Sequence, residues 1–190
     1  MLAGGVDAVL VETAQDLLQA KSAIVGAQRA MAAAGRRVPM FVQVTVETTG
    51  TMLLGSEIGA ALTALEPLGI DLIGLNCATG PAEMSEHLRF LSKNATVGVS
   101  VMPNAGLPEL GPHGAVYPLS PGRAGQRPCA QFVREFGTTL VGGCCGTTPS
   151  TSGRWWRPCR TCRRRSADRA PSRPRPRSTS PCRSGRTPRC

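Results

Sequence analysis

The chain has 190 residues, enough for one domain with a hydrophobic core, and a formal net charge of +10 at pH 7. The charge is uneven, because residues 1–149 carry −2 and residues 150–190 carry +12. No apolar run approaches the roughly 20 residues of a membrane span, and Asp7 interrupts the first apolar stretch, which lacks the basic start of a secretory signal. These features argue against a membrane protein and predict a cytoplasmic one, whose cysteines more often bind metal or catalyse than cross-link.

Five short apolar segments have the composition of β-strands buried in a parallel sheet. In chain order they are Asp7–Glu12, Met40–Val46, Asp71–Cys77, Thr96–Met102 and Thr138–Gly143. Helical patterns separate them: one covers Ala14–Ala34 and stops at Gly35, a second is capped by Ser56, and a third begins at Pro81. This alternation predicts βαβ units with right-handed crossovers.

Polar or unusual residues follow each of these strands directly. The five groups are Glu12-Thr13, Glu47 to Thr49, Asn76-Cys77, Pro103-Asn104 and Cys144-Cys145. In parallel α/β folds the functional site is built at the carboxyl ends of the strands. The placement therefore predicts a functional site along this edge of the sheet, the carboxyl rim, with carboxylate, amide and thiol groups.

Five βα units are fewer than the eight of a closed barrel, which takes about 250 residues. The fold is therefore predicted as α/β, either an open five-stranded sheet or part of a (β/α)8 TIM barrel. The opening segment Leu2–Gly5 resembles the end of a helix, which favours a partial barrel without its first units. The predicted organisation is a partial domain over residues 1–149, followed by a disordered tail over residues 150–190.

The segment LVGGCCGTTP, Leu140–Pro149, places two adjacent cysteines between glycines. Neighbouring side chains on a strand point to opposite faces, so Cys144 and Cys145 can converge only where the strand has ended and the backbone turns. Cys77 ends another predicted strand, so three thiolates would meet at one rim. Three sulfur ligands suit tetrahedral zinc with an open fourth position, which is typical of a catalytic site that binds and deprotonates a thiol.

Four motifs (VLVET with QD, GLNCATGP, PNAG and VGGCCGTTP) closely resemble the homocysteine S-methyltransferase family in order and spacing. The nearest members are the homocysteine-binding domains of cobalamin-dependent methionine synthases, and betaine–homocysteine and S-methylmethionine–homocysteine methyltransferases are more distant. The resemblance implies a (β/α)8 barrel that binds homocysteine, with Zn²⁺ held by Cys77, Cys144 and Cys145. It also implies that Glu12 holds the homocysteine amino group, and that Asn104 completes the zinc shell when substrate is absent.

The resemblance further implies a reaction and a partner. The zinc-activated homocysteine thiolate attacks a methyl group, which in the closest members comes from methylcobalamin on a domain that this chain lacks. Because the family's barrel has three earlier βα units, the chain is expected to be an inactive fragment by itself. A separate chain that supplies the missing units is an open alternative.

Residues 150–190 are rich in arginine, proline and serine and contain 13 arginines and one acid. A disordered basic arm could bind polyanions, with Trp155 and Trp156 stacking on bases, which defines the competing function of a non-enzymatic nucleic-acid-binding protein. Cys159 and Cys162 could form half of a zinc knuckle. The preferred interpretation is translation in a shifted reading frame, because one set of codons for residues 150–164 reads DIRAVVEAVQDLPP from its third base. No specific nucleic acid is then expected.

Overall fold

A computed structural model describes residues 1–119 and 127–148. Its elements are, in chain order, β1 (Val9–Ala14), α1 (Leu17–Ala33), β2 (Met40–Val44), α2 (Ile58–Leu65), β3 (Leu72–Asn76), α3 (Ser85–Asn94), β4 (Gly98–Met102), β5 (Glu109–Gly111), β6 (Gly114–Val116), α4 (Arg127–Phe136) and β7 (Leu140–Val141). None of the helices in these two ranges is long and apolar enough to cross a membrane. The tail predicted over residues 150–190 lies outside the described residues.

Five strands form one parallel sheet in the order β1-β2-β3-β4-β7, which is also their order along the chain. The helices contact one another in the same order, α1 with α2, α2 with α3, and α3 with α4, and so form one layer. A doubly wound sheet carries helices on both faces, whereas a barrel keeps its helices outside. The predicted α/β fold with five parallel strands is confirmed, and its winding is that of part of a barrel.

The two faces of the sheet differ in chemistry. The face toward the helices joins the hydrophobic core through Val42, Val44, Ile73, Leu75, Val99 and Val101. On the other face Gln43, Gly74 and Ser100 lie side by side in register, and Gln43 Nε2 donates to Ser100 Oγ at 3.0 Å across the glycine. The three central strands β2, β3 and β4 are buried on both faces, as expected, but the inner face contains polar side chains.

Two helices begin later than predicted, and only the first of them has a side-chain cap. Helix α1 begins at Leu17, since Asp16 caps it by accepting a hydrogen bond from the Gln19 backbone N–H at 2.8 Å. The residue at the amino-terminal cap of α2 is Glu57, and no side chain caps that helix. The prediction that Ser56 caps α2 is therefore wrong.

The segment between β3 and β4 and the segment after β4 also differ from expectation. Helix α3 begins at Ser85 rather than at Pro81, and Ser85 Oγ donates to the Pro81 carbonyl at 3.2 Å across the turn before the helix. The antiparallel hairpin of β5 and β6 was not predicted. Its strands have three residues each and Gly114 has a φ of +115°, so no apolar alternation indicates it.

Candidate metal centre

The backbone turns sharply directly after β3. Cys77 and Ala78 have φ values of +62° and +56°, in the left-handed region that residues with a side chain rarely adopt. The Cys77 N–H donates to the Met102 carbonyl at 3.2 Å, and the Thr79 N–H donates to the Cys77 carbonyl at 2.7 Å. These bonds hold Cys77 at the carboxyl rim of the sheet, and backbone strain of this kind is found mostly at functional sites.

The loop after β7 holds the two adjacent cysteines against the end of β4. The Cys144 N–H donates to the Pro103 carbonyl at 2.9 Å, and the Cys145 N–H donates to Asn104 Oδ1 at 3.0 Å. Gly146 follows with a φ of +76°, which a glycine adopts without strain. Because the strand has already ended, the two neighbouring sulfurs lie 3.9 Å apart instead of on opposite faces.

The structure brings the three predicted cysteines together in one cluster. Cys77 Sγ lies 3.8 Å from Cys145 Sγ, and all three sulfurs, including that of Cys144, lie within 4.8 Å of one another. Zinc–sulfur bonds of 2.3 Å in a tetrahedral site separate the sulfurs by about 3.8 Å. All three thiols are free. Their spacing fits a zinc ion with a fourth position left open.

The charges of the cluster also favour a bound cation. The pKa of Cys144 is raised to about 12, first by burial and then by the charges of Cys77 and Cys145, while a hydrogen bond from Asn76 lowers it. Three neighbouring thiolates would therefore need a positive charge beside them to offset their repulsion and burial. A divalent metal ion would supply that compensation, because a coordinated thiol loses its proton outright.

Asn76 joins the cluster to β1. Its side chain is fully buried, accepts a hydrogen bond from the Thr13 backbone N–H and donates one to Thr13 Oγ1, both at 2.8 Å. The same amide nitrogen lies 3.8 Å from Cys144 Sγ. Thr13 has a φ of +55°, so the end of β1 turns to meet this amide. Asn76 therefore holds the Cys144 thiol against the end of β1.

Replacing Asn76 by leucine is expected to lower the free energy of unfolding by about 2 kcal/mol, because two hydrogen bonds to Thr13, each worth about 1 kcal/mol, are lost. Urea unfolding of the metal-free chain measures the change. The matched control is Asn94→Leu, since Asn94 is exposed on α3 and donates only to the Phe90 carbonyl. The Asn94→Leu variant should lose no more than about 0.5 kcal/mol of its free energy of unfolding, as for most surface substitutions. Equal losses for the two variants would contradict the role given to Asn76.

The other two predicted site residues occupy different surroundings. Asn104 is buried, and its side-chain oxygen accepts a hydrogen bond from the Cys145 backbone N–H. The backbone N–H of Asn104 donates to the Thr79 carbonyl at 3.1 Å. Glu12 lies on β1 beside Thr13, is exposed, and makes no hydrogen bond or ion pair with the described residues. The structure thus brings Asn104 to the cysteine cluster and leaves the Glu12 carboxylate available at the rim.

One residue beside the cysteine cluster, Tyr117, was not predicted. The ring of Tyr117 lies against Gly146, the residue directly after Cys145, where an added Cβ atom would lie 2.7 Å from Tyr117 Cδ2. Tyr117 is the only tyrosine of the chain and follows the short strand β6, so neither a motif nor a strand end marked it.

The fold and the three-thiol rim define a class of proteins. The sequence profile of homocysteine S-methyltransferases matches residues 1–151. The chain therefore belongs to the homocysteine S-methyltransferase family.

Two mycobacterial proteins are similar to this chain over most of its length. It is 72% identical over 149 residues to the methionine synthase of Mycobacterium leprae and 70% identical over 150 residues to that of Mycobacterium tuberculosis. The matches cover 78% and 79% of this chain but only 12% of each relative. The chain thus spans about an eighth of the length of these relatives.

Solved structures support the same fold. The apo form of the homocysteine methyltransferase MmuM from Escherichia coli superposes with a TM-score of 0.59 and 20% identity, over 83% of this chain and 51% of that one. Its metallated form gives a TM-score of 0.58 and 21% identity, over 82% and 46%. The five-stranded sheet therefore corresponds to about half of such a structure.

Proposed function

We propose that residues 1–149 form the zinc- and homocysteine-binding part of a homocysteine S-methyltransferase that makes methionine. The observation that carries the proposal is the spacing of the sulfurs of Cys77, Cys144 and Cys145, which suits tetrahedral zinc. The membership of the family and the high identity to methionine synthases support the choice of homocysteine as substrate.

Zinc held by the three cysteines would supply a Lewis acid that lowers the pKa of the homocysteine thiol at the open position. In the overall reaction the thiol loses its proton, its sulfur forms a bond to the methyl carbon, and the donor keeps the electron pair of its broken bond. Soft sulfur ligands suit this chemistry better than water activation.

The residues around the cluster have separate tasks in this proposal. Asn76 orients Cys144 through its amide nitrogen, and Asn104 orients Cys145 through the backbone. From the resemblance we infer that Asn104 would complete the zinc shell when no substrate is bound. Glu12 offers an exposed carboxylate on the same rim, which would bind the homocysteine amino group.

The methyl donor belongs to another part of the system. We infer methylcobalamin as the donor from the resemblance to cobalamin-dependent methionine synthases, and the chain would receive the methyl group from a separate domain or chain. The described residues form five of the strands of a barrel, with β1 and β7 at the edges of the sheet. We therefore expect homocysteine binding from this chain, and turnover only with further partners.

Substituting cobalt(II) for zinc in the full 190-residue chain tests the proposal without requiring turnover. Adding L-homocysteine is expected to change the sulfur-to-cobalt charge-transfer absorption, because a fourth sulfur enters the open position. L-homoserine, which has oxygen in place of that sulfur, should leave the band unchanged. A spectrum that responds to neither amino acid, or equally to both, would contradict homocysteine as the substrate.

The boundary at residue 149 and the nature of the tail also remain proposals. The end of the family match at residue 151 and the change of net charge support a boundary there. Binding of polyanions by residues 150–190 stays a prediction, since a +12 segment attracts nucleic acid without any specific site.

A further inference from the structure

The charges of the described residues are separated between the carboxyl rim and the helices. On β1 and in the described loops that follow the strands there are carboxylates but neither lysine nor arginine; the carboxylates belong to Glu12, Asp16, Glu47, Glu57, Glu83 and Glu109. The lysines and arginines of the described residues lie instead on helices or directly after α1. The described part of the rim is therefore negatively charged and attracts a cationic segment.

A cavity of about 390 Å³ opens on this rim, between the turn before α3, the segment after β4 and helix α4. Its volume is in the range of ligand sites. Glu83 and Glu109 line it together with apolar residues, which include Pro81, Leu107, Pro118 and Leu119. Both carboxylates are exposed, and neither forms an ion pair with a described residue. The cavity therefore combines two uncompensated negative charges with an apolar surface.

The cavity lies close to the point at which the described chain ends. The Leu119 N–H donates to the Ala105 carbonyl at 3.0 Å, and the Ala105 N–H donates to the Cys145 carbonyl at 2.9 Å. Leu119 lines the cavity, so a single residue connects this wall to the cysteine loop. The described chain ends at Thr148, three positions after Cys145. An extended chain spans about 3.3 Å per residue, so a segment that begins six positions further on can lie about 20 Å away and reach the cavity.

The segment within this reach has the chemistry that the cavity lacks. Residues 154–157 read Arg-Trp-Trp-Arg, and they belong to the stretch 150–190 with its charge of +12. A guanidinium group pairs with a carboxylate through two parallel hydrogen bonds. An indole ring buries a large apolar area and has one N–H to donate. Two cations and two aromatic rings thus complement two carboxylates on an apolar wall.

We propose that residues 154–157 dock in this cavity, with their arginines on Glu83 and Glu109 and their indole rings on its apolar wall. The contact depends on the side chains of the segment and not on the origin of its reading frame. The docked segment occupies part of the rim that a methyl donor must approach. That consequence rests on the proposed function, whereas the docking itself needs no metal.

Tryptophan fluorescence of the full 190-residue chain without added metal reports the docking, because Trp155 and Trp156 are the two tryptophans of the chain. At low salt we expect blue-shifted emission and weak quenching by acrylamide. Raising the salt from about 0.1 M to about 1 M shortens the Debye length from about 10 Å to about 3 Å. Emission should then shift to the red and quenching should increase. Emission typical of water-exposed indole already at low salt would overturn the inference.

The double variant Glu83→Gln/Glu109→Gln removes both charges of the cavity and keeps the size of the side chains, and we expect its emission at low salt to shift to the red. The control Glu57→Gln/Glu86→Gln changes the net charge equally at two exposed residues that do not line the cavity, and it should retain the native emission. Equal red shifts in both variants would mean that the overall charge holds the segment and that the cavity is not its site.

Dilution of the native chain separates the two possible sources of the segment. Emission that is independent of protein concentration supports docking within one chain. A red shift on dilution would mean that the segment docks on a second copy, and the inference would be wrong. Because these measurements use the metal-free chain, they are independent of the cobalt experiment, and a failure of the proposed function is distinguishable from a failure of the docking.

Discussion

Replacing Cys145 by serine is expected to weaken zinc binding by more than about 100-fold, because even partners that only support the ligands are worth 10- to 100-fold. The Cys145 sulfur lies between the other two, 3.8 Å from Cys77 Sγ and 3.9 Å from Cys144 Sγ. A serine hydroxyl at the same place is harder and is not ionised near neutral pH. Chelator competition and the metal content of the purified chain measure the loss.

The matched control for this substitution is the double variant Cys159→Ser/Cys162→Ser. These cysteines lie outside the described residues and form the CRTC sequence that could bind zinc by itself. The double variant should retain one tightly bound zinc per chain. If it loses the metal and Cys145→Ser keeps it, the three-thiol cluster is not the zinc site.

Replacing Gly74 by alanine is expected to lower the free energy of unfolding by about 3 kcal/mol or more, which is the upper end for overpacking. A Cβ atom at Gly74 would overlap the hydroxyl and the carbonyl oxygen of Ser100 and would lie 2.7 Å from its carbonyl carbon. The carbonyl belongs to β4 and cannot rotate away. The substitution would therefore separate β3 from β4, the two strands that position Cys77 and Asn104.

Gly26→Ala is the control for this effect. Gly26 lies within α1, is exposed, and has no atom within 4 Å of an added Cβ. Alanine there should raise the free energy of unfolding by roughly 1 kcal/mol, the difference in helix propensity. Urea unfolding compares the two variants, and Ser100→Ala combined with Gly74→Ala should restore little, because the carbonyl overlap remains. A near-neutral Gly74→Ala variant would contradict the packing across β3 and β4.

Much of the fold could be predicted because it depends on local patterns. The apolar segments that became β1, β2, β3, β4 and β7 are short and bounded by turn residues, and parallel strands place their carboxyl ends on one edge. The convergence of Cys77 with the two adjacent cysteines followed from that order. Helix starts were less accurate, since capping depends on single hydrogen bonds such as the one from Gln19 to Asp16.

The contacts around the cluster could not be predicted in the same way. Asn76 and Thr13 are 63 positions apart in the chain, and their two hydrogen bonds depend on the register of β1 against its neighbours. The packing of the Tyr117 ring on Gly146 follows a hairpin without a sequence signal and depends on the absence of a Cβ atom at Gly146. Neither residue has a type or spacing that indicates its partner.

The amino-acid sequence by itself determined the parallel α/β architecture, the rim at which polar groups gather and the three thiols that gather there. Periodicity and chain order are sufficient for these, because neighbouring residues mark each strand end and parallel strands bring those ends to one edge of the sheet. Only the tertiary structure decided which atoms meet: the sulfur spacing that suits zinc, the amide of Asn76 on Cys144 and the ring of Tyr117 on Gly146. Such contacts join distant segments to within a fraction of an ångström, and strand register, left-handed turns and glycine clearances set them together.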